Sequence, residues 1–287
     1  MRYLLVLFSL TFMFCDFGIA NSYDDGFSDF QRTDLPREFT QRMDSIPDYY
    51  QRDKAFGGFI GGGSMYCAPT SVSNVLMYLN KRGYDILGSK VLTDQTQYDL
   101  IKQLGSPKYF NTGTKGTGPA QVCRSLKEFF EDKGINNVKI HHLGWRSVSN
   151  EFKASGQVVD LESIRRALLT NDAVLLNYGW YRFDPEKNEY IRTGGHWVTL
   201  VGYGFDGKET DSSTIIVHDP ETRKTRSDYV KLQQLETGKL KGPLKGLPRN
   251  AKNHLGFKLS SRSYGVIDGA VFIKMPSLVN SSPLVLK

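Results

Sequence analysis

A cysteine, a histidine and an aspartate stand in this chain in settings that could carry out acyl transfer. Cys67 closes the glycine-rich run GGFIGGGSMYC and opens CAPTSVSNVLMYL, where Val72, Val75, Leu76 and Leu79 recur at i, i+3, i+4 and i+7. The spacing predicts a helix with Cys67 in its first turn, Pro69 early and Gly83 just past its end. At such a position the helix dipole and the free backbone N–H groups stabilise a thiolate, and a neighbouring imidazolium stabilises it further. The same amides can donate to the oxyanion of a tetrahedral intermediate. A small hydrophobe packed at the base of the helix is the other reading that Cys67 alone permits.

The second half of such a site lies in GGHWVTLVGYGFDGKETDSSTIIVHDP, two extended runs around a polar turn that contains Asp206 and Gly207. In an antiparallel hairpin centred on that turn, His196 falls opposite Asp219. A carboxylate beside an imidazole fixes the ring, selects its tautomer and stabilises its protonated form, as a base serving a nucleophile requires. The alternative is that His196 only caps a strand after Gly194 and Gly195. Of the other histidines, His141 and His142 belong to a predicted strand, His218 adjoins Asp219, and His254 lies in a basic stretch. There is no HExxH, no CxxC pair and no GxSxG, and His141 and His142 point to opposite faces of a strand. No metal, cofactor or serine mechanism is expected.

Periodicity supplies the elements that must hold these residues. Helices are predicted at 95–104 and 120–132, a short strand at 138–141, and a fourth helix capped by Asp160, with Leu161, Ile164, Leu168 and Leu169 on its apolar stripe. After Asn171 the pattern becomes extended, in AVLLNYGWYRF, EYIRTGGHWVTLVGYG, STIIVHDP and YGVIDGAVFIKM. Helices followed by antiparallel strands define an α+β architecture, with the nucleophile at a helix start in an N-terminal helical half packed on a C-terminal antiparallel sheet.

Taken in order, CAPTSVSNVLMYL, GGHWVTLVGYG and HDP resemble the papain-like cysteine peptidases. The closest resemblance is to the branch of bacteriocin-processing, double-glycine-leader peptidases, family thirty-nine of the cysteine peptidases. It extends over roughly residues 46–275, with the Cys and His/Asp blocks as its specific parts. The resemblance implies Cys67 as nucleophile, His196 as general acid/base and Asp219 as the orienting third member. It also implies a glutamine about six residues before the cysteine, whose side-chain amide serves the oxyanion hole. Gly61 occupies that place here, and Gln51 is the stand-in if the glycines form an inserted loop. The sequence lacks the phosphate-binding loop GxxxxGK[ST] and the membrane helices of exporter-fused members, so a stand-alone, exported form is expected.

The first twenty residues, MRYLLVLFSLTFMFCDFGIA, pair Arg2 with a short apolar stretch and a small-residue exit. This is the layout of a cleavable secretory signal (1–20), and it implies a secreted or periplasmic protein with no stable membrane span after its removal. Residues 21–45 read as a polar tail or pro-segment, ahead of a peptidase-like domain over 46–287. The mature chain then has two cysteines, Cys67 and Cys123. They could pair, but Cys123 sits beside the apolar stripe of its helix and reads as a half-buried free thiol.

Charge is concentrated in one place. Residues 221–262 carry 11 Lys/Arg against 3 Asp/Glu, whereas the whole chain is only +7. The stretch is broken by Gly and Pro and reads first as a solvated insertion; an anionic cell-surface polymer is the partner its charge would fit. It lacks the interleaved aromatics that stack bases, so nucleic acid is not expected. The function these readings support is peptide or amide hydrolysis through a thioester, with a peptide or protein as substrate. The competing class is a catalytically silent papain-like domain that binds a peptide or cell-surface polymer.

Overall fold

The cysteine-bearing segment forms helix α1 (Cys67–Lys81), and every residue from Cys67 to Leu79 is buried. The apolar stripe accounts for one side only. The other carries Thr70, Ser71, Ser73 and Asn74, whose burial is tolerable where hydrogen bonds replace water. Ser73 donates to Thr70 O, and Asn74 Oδ1 accepts from Tyr49 N and from Gln97 Nε2. A helix buried on all sides is a central element rather than a surface one. The chain is built around it.

The computed structural model describes residues 35–156, 158–222, 227–242 and 248–278. The expected signal segment lies outside the described residues. After α1 come α2 (Asp94–Gly105), α3 (Pro119–Asp132), β1 (Lys139–Gly144) and α4 (Leu161–Thr170). Thr93 caps α2 and Asp160 caps α4, each through a capping box. The sheet is made by β2 (Ala173–Asp184), β3 (Glu189–Phe205), β4 (Thr210–His218), β5 (Asp228–Lys231), β6 (Gln233–Gln234), β7 (Lys239–Lys241), β8 (Arg249–Asn250), β9 (Leu255–Lys258) and β10 (Ser263–Lys274). Its order is β5-β4-β3-β2-β10-β9-β6, with β1 added to β10, and β7 and β8 added to the start of β3. All pairs are antiparallel except β3 with β7. The α+β arrangement expected from the pattern is the one observed.

Both faces of the central strands are covered. Leu175, Trp197, Val201, Val271 and Ile273 pack with α1 and α3, whereas Val174, Leu176, Val198, Leu200 and Phe272 pack with α4 on the opposite face. Two-sided burial is why AVLL, WVTLV and AVFI are continuous apolar runs instead of alternating ones. Cys123 is likewise fully buried and free, a correction to the half-buried reading. Burial, reinforced by the charge of Glu151, pushes its thiol up to about 12. It is inert by position.

The folded unit begins earlier than Ile46. Phe39 pairs with Tyr203 of β3, Tyr203 donates its hydroxyl to Pro36 O, and the buried Arg42 donates to Asn171 O at 2.8 Å. This segment fits because β3 carries glycines beneath it. A Cβ on Gly202 would fall 2.5 Å from Phe39 O, and Gly204, at φ +80°, lies flush against the Arg37 carbonyl. Phe39 and Arg42 are therefore anchored to the body, ahead of the Ile46 start expected for it.

The basic stretch also differs from the solvated insertion expected. Its described residues include β5 to β9, and Leu235, Leu240 and Ala251 close a small core with Tyr181, Tyr190 and Val266. The period-2 signal is hidden because these strands are short and their charges lie on the exposed alternate positions.

Candidate functional site

Helix α1 presents Cys67 as its first residue. The residue before it, Tyr66, makes no side-chain cap, and Pro69 has no N–H to cap. The first-turn amides of Cys67 and Ala68 are thus among those that a helix leaves without intrahelical partners. Cys67 is 7 % exposed, open enough for a reagent at one edge.

β3 brings His196 to the same place. Ser71, one turn into α1, donates its hydroxyl to Trp197 O at 3.0 Å, and Thr199 donates its own to Ser71 O at 3.0 Å. Trp197 in turn donates Nε1–H to Thr117 O at 2.8 Å. The first two bonds tie the residues flanking His196 to the helix that carries Cys67, and the third ties Trp197 to the segment ahead of α3. From the neighbouring strand, Asn177 donates Nδ2–H to His196 O, and Trp180 stacks over the imidazole at 5.8 Å between ring centres. The ring is boxed in.

His196 Nε2 lies 2.6 Å from Asp219 Oδ1, and the same imidazole is hydrogen-bonded to Cys67, which leaves Nδ1 to face the sulfur. Burial opposes a charge on this ring, but the hydrogen bonds to Asp219 and Cys67 and the charges of both overcome it and raise its pKa from 6.5 to about 10. His196 is an imidazolium at neutral pH. Asp219 is held by the Glu221 N–H, which donates to the same Oδ1 at 2.8 Å.

The hairpin brings His196 and Asp219 together by a different register from the one expected. Phe205 pairs with Thr210 around the expected centre, but bulges between Tyr203 and Phe205 and between Leu200 and Gly202 shift the ladder, so that Thr199 faces His218. β4 ends there, and Asp219 reaches His196 diagonally from just beyond the last paired residue.

Gln51 is buried, at 1 % exposure, and sits beside the glycine run. Its Nε2 donates to Gly63 O at 3.0 Å, while its backbone N–H donates to Pro220 O at 2.8 Å, next to Asp219. Arg52 and Glu221 add an ion pair to the same seam. Gly61, Gly62 and Gly63 all have left-handed backbones, at φ +62°, +63° and +77°. Gly63 also packs so closely on Gln51 that any Cβ would overlap the Gln51 carbonyl oxygen. The glycines are therefore a loop that folds back onto Gln51 just before α1 starts.

Sequence reasoning did not find Trp180, Asn177 or the Ser71/Thr199 clamp, since nothing in a strand pattern marks which alternate residues meet a helix. It also missed Arg192 and Asp268, a buried pair joined at 2.7 Å. The available signal was a lone carboxylate inside the apolar run YGVIDGAVFI, which cannot be buried without a partner. Among the described residues, no group of three His, Cys, Asp or Glu side chains could hold a metal ion. No curated protein and no solved structure matches the chain. Residues 43–239 match the Peptidase_C39-like family; this span includes Gln51, Cys67, His196 and Asp219, and the chain belongs to that family.

Proposed function

We propose that this protein is a secreted cysteine peptidase in which Cys67 is the nucleophile, His196 the general acid/base and Asp219 its orienting partner. The observation that carries the reading is the shared imidazole, hydrogen-bonded on one side to Asp219 and on the other to Cys67. Secretion is inferred from the basic, apolar and small-residue order of residues 1–20.

The Cys67 thiolate attacks the scissile carbonyl carbon, and the carbonyl oxygen takes up the negative charge. The Cys67 backbone N–H is the donor at hand for that oxyanion. As the C–N bond breaks, His196 gives its Nδ1 proton to the leaving amine, and a thioester to Cys67 remains. The neutral imidazole then takes a proton from water, hydroxide adds to the thioester, and release of the acid restores the thiolate and imidazolium. Asp219 keeps the ring in place throughout.

The test is digestion of a peptide library, with new N-termini read by mass spectrometry. Wild type should cleave and Cys67→Ala should not, and hydroxylamine should trap the acyl group as a hydroxamate. Cleavage that survives in Cys67→Ala would refute the assignment. A wild-type protein that cleaves nothing, yet binds the peptides, would instead be the silent domain.

Gln51 is proposed as the side-chain donor of the oxyanion hole, through the second N–H of Nε2. The support is its burial against the glycine loop that leads into α1. Gln51→Ala should lower kcat by roughly 100-fold, the scale of one oxyanion donor, with little change in KM. Iodoacetamide labelling of Cys67 should be nearly unchanged, since no oxyanion forms in that reaction. An unaltered kcat would remove Gln51 from the site.

A further inference from the structure

Beside Cys67 lies a cleft of about 330 Å³ whose walls carry two guanidinium groups, Arg146 and Arg192, and no carboxylate. From this juxtaposition we propose that the cleft is an anion subsite that selects peptides with an acidic residue among the three ahead of the scissile bond. The proposal rests on the peptidase reading above and specifies its substrate.

The two arginines are held differently. Arg192 is anchored from behind, its Nε donating to Asp268 Oδ2 at 2.7 Å. Asp268 is fully buried, and its other oxygen accepts from Tyr181 Oη at 2.6 Å and from Trp145 Nε1 at 3.0 Å. With Nε so fixed, the terminal Nη2 of Arg192 lies across Gly195, the residue before His196, so closely that a Cβ there would overlap it. This is what the second glycine of GGHW is for. It leaves room for a guanidinium next to the catalytic imidazole.

Arg146 enters from the loop after β1. One of its terminal nitrogens lies 3.9 Å from the place a Cβ would take on Gly118, the residue just before α3. Asp268 is committed to Arg192, Tyr181 and Trp145, so two cations share the field of one carboxylate. Burial and the like charge of Arg192 both disfavour the charge on Arg146, and Asp268 only partly offsets them. A half-buried cation left in surplus is costly until an anion joins it. A carboxylate suits the vacancy, because two planar guanidinium groups can each donate paired N–H bonds to it. Asn177 lines the same cleft.

A structural role explains Arg192 with Asp268 but leaves Arg146 without a purpose. The test therefore centres on Arg146. Peptidyl acyloxymethyl ketones with Glu, Gln or Lys at each of the three residues ahead of the reactive carbonyl are used to inactivate the full chain, with Cys67 adducts counted by mass spectrometry. At one position Glu should react roughly 10- to 100-fold faster than Gln, the scale of a charge-assisted hydrogen bond, and Lys slowest. Arg146→Gln should bring Glu and Gln to parity, and Arg146→Lys should keep part of the preference. Iodoacetamide labelling of Cys67 should be the same in all three proteins.

Equal reaction of Glu and Gln at every position, or a Glu preference that survives Arg146→Gln, would overturn the subsite while leaving the nucleophile intact. A Cys67 that iodoacetamide labels no faster than a free thiol would overturn the peptidase reading and the subsite with it. The two failures are distinguishable in one set of samples.

Discussion

His196→Ala is expected to lower peptide turnover by a factor on the order of 10³ or more and to abolish rapid alkylation of Cys67 at pH 6. The reason is the charge state of the ring. Its pKa stands at about 10 because the hydrogen bonds and charges of Asp219 and Cys67 outweigh the burial that opposes them. A raised pKa on a base means that the proton stays on to higher pH, so the imidazolium persists across the neutral range and disappears only as pH rises through about 10. Two reagents report this separately. Iodoacetate is drawn to the imidazolium and iodoacetamide is not, so the ratio of their rates on wild type should be high at pH 7 and fall through about pH 10. In His196→Ala the ratio should be lower and should no longer fall through pH 10, since Arg146 and Arg192 keep their charge there, and both rates should follow an ordinary thiol, rising near pH ~8.5. Equal alkylation of variant and wild type at pH 6 would show that His196 does not activate Cys67.

The parts of this site that could be read from sequence are those set by local chemistry. Cys67 at a helix start follows from one apolar period, and Asp160 as a cap follows from its position before another. The meeting of His196 with Asp219 was legible for a looser reason. The turn at Asp206 and Gly207 fixes which strand ends converge, and a charged pair tolerates the shift of register that two bulges introduce. What stayed hidden depends on space rather than on type. Gly63, Gly195, Gly202 and Gly204 are indistinguishable from flexible glycines in a sequence, yet each is flush against a particular group: the Gln51 carbonyl, the Arg192 guanidinium, and the carbonyls of Phe39 and Arg37. The contacts of Gly63, Gly202 and Gly204 join separate segments, and the approach of Arg192 to Gly195, three residues on, depends on where Asp268 anchors the guanidinium. The anchoring of Phe39 and Arg42 to the body and the joining of β5 to β9 to the sheet were missed for that reason.

The same logic gives Asp268 the largest expected effect on stability. It is the extra residue of a bulge between Ile267 and Gly269, and the bulge turns its side chain beneath Gly179, where a Cβ would fall 2.6 Å from both carboxylate oxygens. Asp268→Ala removes the counter-charge of a buried arginine and three hydrogen bonds at once, and leaves Arg192 facing Arg146. Urea unfolding should show a loss of roughly 3–5 kcal/mol with an unchanged m-value. That figure measures the charge left behind, not the worth of the pair, and a double-mutant cycle separates the two. In Asp268→Asn an amide N–H meets the Arg192 Nε–H, donor against donor. Asp268→Asn with Arg192→Gln removes the conflict and both charges, while Tyr181 and Trp145 keep an acceptor. The double variant should therefore be more stable than the sum of the single losses implies, by about 1.5 kcal/mol or more. It should also lose the Arg192 guanidinium from the cleft and so weaken any Glu preference, even though its fold is largely restored. Strict additivity would mean that Arg192 and Asp268 act independently.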